Sequence, residues 1–157
     1  MIELVPMTAE EYEVYLEVIV PDYAREHVEA GNWPEEGAEE RARKEMVEVY
    51  LPDGVATENN YLFTIVDPEI GTKVGMLWYA INEKGNGRQA FVYDVIVDEQ
   101  HRRRGYGYQA FQKMEEMVRE EEVVAIGLHV FGYNHGARAM YEKLGFEVTD
   151  IVMRKWL

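Results

Sequence analysis

The sequence predicts an α/β fold with a mixed sheet, in which an antiparallel N-terminal meander is followed by a strand–helix–strand unit. Three observations support this prediction. Two segments in the first third have apolar residues at helical spacing, three β-rich segments in the middle are joined by short turns, and helical and strand patterns alternate in the second half. The length of 157 residues suits one core, so we expect a single domain over 1–157.

Two helices are predicted in the first 50 residues. The first covers residues 9–20, and Thr8 before Glu11 has the form of a capping box. The segment GNWP (31–34) then breaks the chain, and the second helix covers residues 35–50 after Pro34, a residue type favoured at a helix start. Each helix has an apolar stripe: Tyr12, Tyr15, Leu16 and Ile19 in the first, and Ala38, Ala42, Met46 and Val49 in the second.

The middle of the chain predicts three antiparallel strands over residues 61–66, 74–81 and 89–97. The connecting segments DPEIGTK and NEKGNG are short and rich in turn-forming residues. Strands this close along the chain pair most simply as a meander, because an antiparallel pair needs only a tight turn between its strands.

The second half predicts a helix over 105–121, a strand over 123–131, a helix over 135–144 and a final strand over 148–156. The first of these helices has one apolar face, and Gly145 is placed to end the second as a C-cap residue. A strand, helix and strand of this length form a parallel crossover, so residues 89–131 should be a βαβ unit. The apolar face consists of Ala110, Phe111, Met114, Met117 and Val118.

Composition excludes several classes of protein. The absence of cysteine excludes a disulfide scaffold, a thiolate zinc site and a cysteine nucleophile. There is no apolar run long enough to span a membrane, and the acidic N-terminus is unlike a signal peptide, so we expect a cytoplasmic protein. The four histidines lack the spacing of a metal-binding motif, so no metal is expected.

The formal net charge is −14 and is unevenly distributed. Residues 1–60 contain 16 acidic and 4 basic residues, whereas the remainder is nearly balanced. Such a field repels nucleic acid over most of the surface and could attract a cationic small molecule, although it could also serve solubility alone.

Residues 101–110, HRRRGYGYQA, concentrate three arginines beside two glycines in this acidic chain. The segment lies between a predicted strand and a predicted helix. A helix N-terminus has unpaired N–H groups, and glycine lets a ligand approach the backbone closely, so the segment predicts an anion site, most often one for phosphate.

Two familiar phosphate-binding loops fit this segment poorly. A Walker loop needs Lys and Ser or Thr after the second glycine, where Tyr108 and Gln109 stand. Gly105, Gly107 and Ala110 match a Rossmann fingerprint, but seven residues separate them from the strand, and no acidic residue ends the next strand.

A third pattern fits better. Arg102, Gly105 and Gly107 form R-x-x-G-x-G after VYDVIVDEQH, which resembles the central signature of the GNAT superfamily of acetyl-CoA-dependent N-acetyltransferases. The later segment LHVFGYNHGARAMYEKLGF is similar to the second signature of that superfamily. Together, in this order, the two motifs make a specific resemblance over the whole chain, closest to a small bacterial subgroup with largely unassigned acceptors. The residues matching the second signature are Asn134, Ala137, Tyr141, Gly145 and Phe146.

The resemblance implies a GNAT-like fold with splayed parallel strands, between which acetyl-CoA binds like an extra strand. The backbone N–H groups from Arg103 to Tyr108 would hold the pyrophosphate, and a backbone N–H of the preceding strand would hold the oxyanion. Many relatives have glycine where Arg103 stands, and a side chain there could either crowd the loop or contact phosphate. The implied cofactor-binding residues are Val95, Ile96, Val97, Arg102, Arg103, Arg104, Gly105, Tyr106, Gly107, Tyr108 and Asn134.

For the chemistry, the resemblance implies that Tyr141 protonates the leaving thiolate. Asn134 could equally be a helix N-cap, and Tyr141 an aromatic residue on a buried helix face. The general base stays open between Asp94, His129 and a glutamate acting through water. The residues placed where relatives shape the acceptor pocket are Tyr23, His27 and Trp33.

The sequence therefore predicts transfer of an acetyl group from acetyl-CoA to a primary amine, with a small molecule or peptide as acceptor. The acidic first 60 residues favour a cationic acceptor, such as a polyamine, an aminoglycoside-like molecule, or a lysine or N-terminal amine. The alternative is a non-catalytic acyl-CoA-binding sensor or interaction domain. We expect no nucleic-acid or membrane partner, and a homodimer stays open.

Overall fold

The computed structural model describes all 157 residues and contains one five-stranded sheet in the order β1-β2-β3-β4-β5. The first three neighbouring pairs are antiparallel and the last pair, β4 with β5, is parallel. The predicted α/β class, with its meander and βαβ unit, is confirmed. The strands are β1 (Glu3–Pro6), β2 (Asn60–Asp67), β3 (Thr72–Lys84), β4 (Gly87–Val97) and β5 (Ala125–Leu128).

Helices cover both faces of the sheet. The helices are α1 (Ala9–Glu29), α2 (Ala38–Lys44), α3 (Tyr106–Glu120) and α4 (His135–Lys143), with a π-helical turn at Glu45–Tyr50 directly after α2. The core between the sheet and α3, onto which α4 also packs, defines what we call the α3 face. The core between the sheet and the two N-terminal helices defines the α1 face. No helix is long and apolar enough to cross a membrane.

Helix α1 begins with the predicted capping box, in which Thr8 and Glu11 exchange side-chain to backbone hydrogen bonds. The helix is longer than the predicted residues 9–20, and it has ended before the break predicted at GNWP (31–34). The helix continues through Pro21 to residue 29, although proline has no N–H for the preceding turn. Val20 and Ala24 are buried on either side of Pro21, and this burial on the α1 face outweighs the missing hydrogen bond.

The second helix begins at Ala38 after Gly37, which adopts a positive φ of 76°, and not directly after Pro34. Its last turn is π-helical, with the N–H of Leu51 donating to the carbonyl of Met46. The wider turn takes one extra residue, so the predicted apolar stripe ends early, and the side chain of Val49 is 67% exposed.

The structure differs from the sequence prediction at both ends of the chain. The sequence analysis missed β1, a four-residue edge strand ending in Pro6. The final strand expected over 148–156 is absent, and apolar side chains there, including Val152, are exposed. β-propensity alone does not make a strand without a partner. The segment is instead attached to the end of α1 by Arg154, which donates to the carbonyls of Ala30 and Gly31.

Candidate active site

The sheet divides where β4 and β5 separate. The two strands pair only from Gln89–Ala125 to Val92–Leu128, whereas β4 stays paired with β3 as far as Val97. A β-bulge marks the division, because Trp78 and Tyr79 of β3 face Asp94 and Val92, which leaves Tyr93 without a partner. The edge of β4 over residues 93–97 is therefore open.

The register of β3 and β4 determines which backbone groups face this opening. The N–H of Asp98 donates to the carbonyl of Val74 at 2.9 Å, and hydrogen-bonded positions alternate along an antiparallel pair. Val95 and Val97 therefore direct their backbone groups away from β3, toward the gap. The carbonyl of Val97 accepts a 3.0 Å bond from Nε of Arg102, and the backbone of Val95 is left available to an extended ligand.

The loop before α3 offers a second set of unused donors. Six consecutive backbone N–H groups, from Arg103 to Tyr108, donate to no protein group. Arg103 and Gly105 both have positive φ, 61° and 81°, and such alternation turns neighbouring N–H groups into one concave surface. The N-terminus of α3 adds its partial positive charge, so the loop can hold a phosphate group.

A cleft of about 600 Å³ joins the loop to the open strand edge. The sequence analysis missed the contribution of α4, whose Met140 lies 3.6 Å from the position that a Cβ of Gly107 would take. The lining comprises eight predicted residues (Val95, Val97, Arg102, Arg103, Gly105, Tyr106, Gly107 and Tyr108) and three from α4 (Ala139, Met140 and Lys143). Another cavity, of about 400 Å³ beside the C-terminal end of α3, includes none of the loop donors and is not assigned to the cofactor.

Three residues predicted to bind the cofactor do not line this cleft. Ile96 alternates to the other side of the strand and packs on the α1 face. Asn134 caps α4 by accepting a 3.2 Å bond from the N–H of Ala137, which is the alternative role expected for it. The side chain of Arg104 lies beside the hydroxyl of Tyr106, so only its backbone N–H belongs to the loop.

Tyr141 lies on α4 against the α3 face, with ring contacts to Phe111 at 5.5 Å and Phe146 at 5.8 Å. Its hydroxyl makes no hydrogen bond within the protein. Burial, and then the charges of Asp94 and Glu26, raise the pKa of Tyr141 to about 12, so the phenol stays protonated at neutral pH.

Asp94 follows the bulge directly and faces α1, where it accepts a 2.7 Å hydrogen bond from the hydroxyl of Tyr15. Burial raises the pKa of Asp94, the hydrogen bond from Tyr15 lowers it, and the charges of Glu26 and Asp22 raise it, with a resulting pKa of about 7. Of the bases considered from sequence, His129 is exposed beyond the end of β5, with its ring edge-on to Phe131 at 4.9 Å.

An aromatic wall extends from α1 to β4 beside Asp94. His27 stacks on Trp33 at 4.2 Å, and Tyr23 contacts both rings edge-on. Burial lowers the pKa of His27. The wall comprises the predicted Tyr23, His27 and Trp33 together with Tyr50, Tyr93 and Phe131, which lack a local sequence signal.

Glu26 lies on α1 directly before His27 of the aromatic wall. Burial and the charge of Asp22 raise the pKa of its carboxyl, the charge of Arg25 lowers it, and Glu26 makes no ion pair or hydrogen bond to another side chain. Arg25, its neighbour, is instead paired with Asp22 at 2.8 Å. The region between α1 and β4 thus contains aromatic surface and a half-buried carboxylate without a partner.

The family model for the acetyltransferase (GNAT) family matches residues 15–146. The chain belongs to the GNAT acetyltransferase family. It is 35% identical over 156 residues, 99% of each chain, to the uncharacterized N-acetyltransferase YycN of Bacillus subtilis. It is 32% identical over 151 residues, 96% of this chain and 95% of the relative, to the uncharacterized N-acetyltransferase YdgE of the same organism.

Solved structures agree with this assignment. The crystal structure of YycN superposes on this GNAT chain with a TM-score of 0.93, covering 100% of this chain and 99% of the other. A predicted acetyltransferase of Clostridium acetobutylicum, determined with acetyl-CoA, has a TM-score of 0.67 at 14% identity, with coverage of 99% and 96%. At that identity, the second comparison shows only that the GNAT fold is shared.

Proposed function

We propose that this GNAT protein transfers an acetyl group from acetyl-CoA directly to a primary amine, with a cationic molecule as acceptor. The observation that carries the proposal is the continuity of free backbone groups along one cleft. Six unused N–H groups from Arg103 to Tyr108 adjoin the open edge of β4 in this cleft. Asp94 and Tyr141 do not line the cleft themselves, but each is next in the chain to a residue that does, Val95 and Met140 respectively.

The residues present fit acetyl-CoA. The loop and the N-terminus of α3 would hold the pyrophosphate, and the free backbone of Val95 would pair with the pantetheine arm as a neighbouring strand does. Bound acetyl-CoA supplies an activated thioester for acyl transfer. The neighbouring GNAT structure with acetyl-CoA supports the same use of the fold.

Tyr141 suits the role of general acid for the leaving thiolate. Its phenol is half-buried, has no protein acceptor and remains protonated at neutral pH, so its proton is available to a ligand atom in the opening. We expect Tyr141→Phe to lower kcat by about 10²- to 10⁴-fold with little change in the affinity for CoA. A variant with unchanged kcat would contradict this role.

The surroundings of Asp94 support a cationic acceptor. The aromatic wall can bind a cation through its ring faces, and Arg41 already lies 4.4 Å above Trp33 in this way. The carboxylate of Glu26, which has no ion-pair partner, would attract an ammonium group into the same region. A cytoplasmic location remains a prediction of the sequence, and a homodimer stays open.

The test is a thiol-release assay with acetyl-CoA and a panel of amines: spermidine, kanamycin, an Nα-blocked lysine and a peptide with a free N-terminus. Mass spectrometry of the mixture identifies the acetylated product. We expect turnover with at least one cationic amine. CoA binding without turnover on any amine would refute the enzymatic proposal and favour the acyl-CoA sensor, and a preference for an anionic amine would refute the charge argument.

A further inference from the structure

We propose that Asp94 is the general base for the acceptor amine and that Tyr15 is the residue that positions it. This inference rests on the proposed function, since a base is needed only if an amine is acetylated. It assigns one residue to a role that the sequence left open among three candidates.

The first argument is the position of Asp94 relative to the opening in the sheet. Asp94 is the first residue after the bulge at Tyr93, where β4 leaves β5. It lies on the α1 face, whereas Tyr141 packs on the α3 face. A base and an acid on opposite faces of an open gap can act on the two ends of one reacting centre, the entering nitrogen and the leaving sulfur.

The second argument is that Asp94 is held in one orientation. The ring of Tyr15 is 1% exposed, so its hydroxyl has little freedom, and it binds Oδ2 of Asp94 at 2.7 Å. No other side chain binds this carboxylate. Tyr15 therefore fixes one oxygen to α1. The backbone N–H of Val95 also interacts with the carboxylate and lowers its pKa, which leaves acceptor capacity on the carboxylate for a proton from the amine.

The charges around Asp94 favour its neutral form without excluding the anion. Asp22 and Glu26 act on it from α1, and Tyr141 faces it from α4 as a neutral phenol. Two negative neighbours and burial raise the pKa of Asp94, while the hydrogen bond from Tyr15 lowers it, to a value of about 7. A group balanced in this way can both accept and release a proton near neutral pH.

The proton balance is as follows. Asp94 takes one proton from the ammonium group of the acceptor and later releases it to solvent. The amine nitrogen forms a bond to the thioester carbon, the carbon–sulfur bond breaks, and Tyr141 gives its proton to the thiolate. The new amide nitrogen returns its remaining extra proton to the tyrosinate, so one proton is released for each acetyl group transferred.

The first experiment compares the wild-type protein with Asp94→Asn, using the best amine of the panel and saturating acetyl-CoA. Asparagine keeps the shape and can still accept the bond from Tyr15, but it cannot take a proton. We expect kcat/KM to fall by about 10²- to 10⁴-fold. Calorimetric binding of CoA should be unchanged, which would show that the variant is folded and its cofactor site intact.

The second experiment follows the acidic limb of the pH dependence of kcat/KM, with the same amine throughout, so that its own ionisation cancels between variants. Tyr15→Phe removes a bond that lowers the pKa of Asp94, so the limb should move to higher pH. Glu26→Gln removes a charge that raises this pKa, so the limb should move to lower pH. Tyr12→Phe is the matched control, because Tyr12 is a buried tyrosine one turn away whose hydroxyl has no partner.

The outcomes separate the two proposals. If the wild-type protein acetylates no amine, the proposed function fails and this inference fails with it. If the wild-type protein is active and Asp94→Asn retains its kcat/KM, only the inference is overturned. A limb that stays in place in both Tyr15→Phe and Glu26→Gln, or moves equally in Tyr12→Phe, would likewise overturn the role of Asp94 or of Tyr15.

Discussion

Gly75 lies outside the candidate site, but we expect one methyl group added at this position to disrupt the site. Gly75 lies in β3 opposite Val97, and a Cβ there would stand 2.1 Å from the carbonyl oxygen of Ile96. Ile96 belongs to the segment of β4 that carries the free backbone of Val95. Alanine at residue 75 must therefore push the end of β4 away from β3.

The size of this effect follows from the contact distances. Ordinary van der Waals contact begins at 3.4 Å, so the backbone near Ile96 must move by about 1.3 Å to accept the methyl group. Overpacking of this kind costs about 2 kcal/mol, which for a chain of this size lowers Tm by about 4–8 °C. A displacement of about 1 Å in a positioning group lowers the rate by about 10²-fold.

The measurements are the Tm of Gly75→Ala by thermal unfolding and its kcat/KM in the thiol-release assay. Gly85→Ala is the matched control, because Gly85 lies just beyond the other end of β3 and an added Cβ meets nothing within 4 Å. The control should keep both stability and activity. If Gly75→Ala unfolds at the wild-type temperature and is fully active, the close approach of β3 to the β4 edge is not a constraint on the site.

Three further predictions concern single residues. Arg103→Gly should raise the free energy of unfolding by about 1 kcal/mol, because the backbone of Arg103 has a φ of +61° that glycine adopts without strain. The same change should weaken CoA binding, because it removes a side chain from the cleft, and tighter calorimetric binding of CoA would contradict this expectation. Asn134→Ala should lower the free energy of unfolding by about 1 kcal/mol and leave CoA affinity unchanged, and weaker CoA binding would instead indicate a ligand contact. Folding raises the pKa of Asp94 from 3.8 to about 7, so the folded protein binds more protons than the unfolded chain between these pH values. As pH rises through this window, the free energy of unfolding of the wild-type protein should therefore fall relative to that of Asp94→Asn, by at most about 4 kcal/mol. A difference in stability between the two proteins that does not change across this pH range would contradict the prediction.

The parts of the fold that the sequence predicted are those determined by local pattern. The apolar face of α3 and the capping box of α1 each depend on residues within a single helix, and both are present. The break at GNWP (31–34) after α1 was also predicted, but the range 9–20 was too short, because the burial of Ala24 against distant residues carries the helix past Pro21. The strand expected over 148–156 was wrong for a related reason, since pairing depends on a partner strand that local propensity does not supply.

The candidate site likewise has one part that the sequence predicted and another that it did not. The loop from Arg103 to Tyr108 was predictable because glycine, strand end and helix start are contiguous in the chain. The contribution of Met140 to the cleft, and that of Tyr50 to the aromatic wall, depend on how helices pack and on a π-helical turn. The hydrogen bond between Tyr15 and Asp94 joins residues 79 positions apart, and no sequence motif indicates it.

One feature of the sequence does encode the opening in the sheet. Side chains alternate between the two faces along a strand, so the residue numbers of side chains on one face should differ by even numbers. In β4 the α3 face takes Ala90 and Val92, and then Val95 and Val97, so the alternation changes phase between them. The unpaired Tyr93 is the cause, because one extra residue moves every later side chain to the other face. Without the bulge, Asp94 would point into the apolar core beneath α3. With it, the same residue that opens the edge of β4 to a ligand also directs the carboxylate of Asp94 toward the acceptor side, so the binding edge and the proposed base arise from a single insertion in one strand.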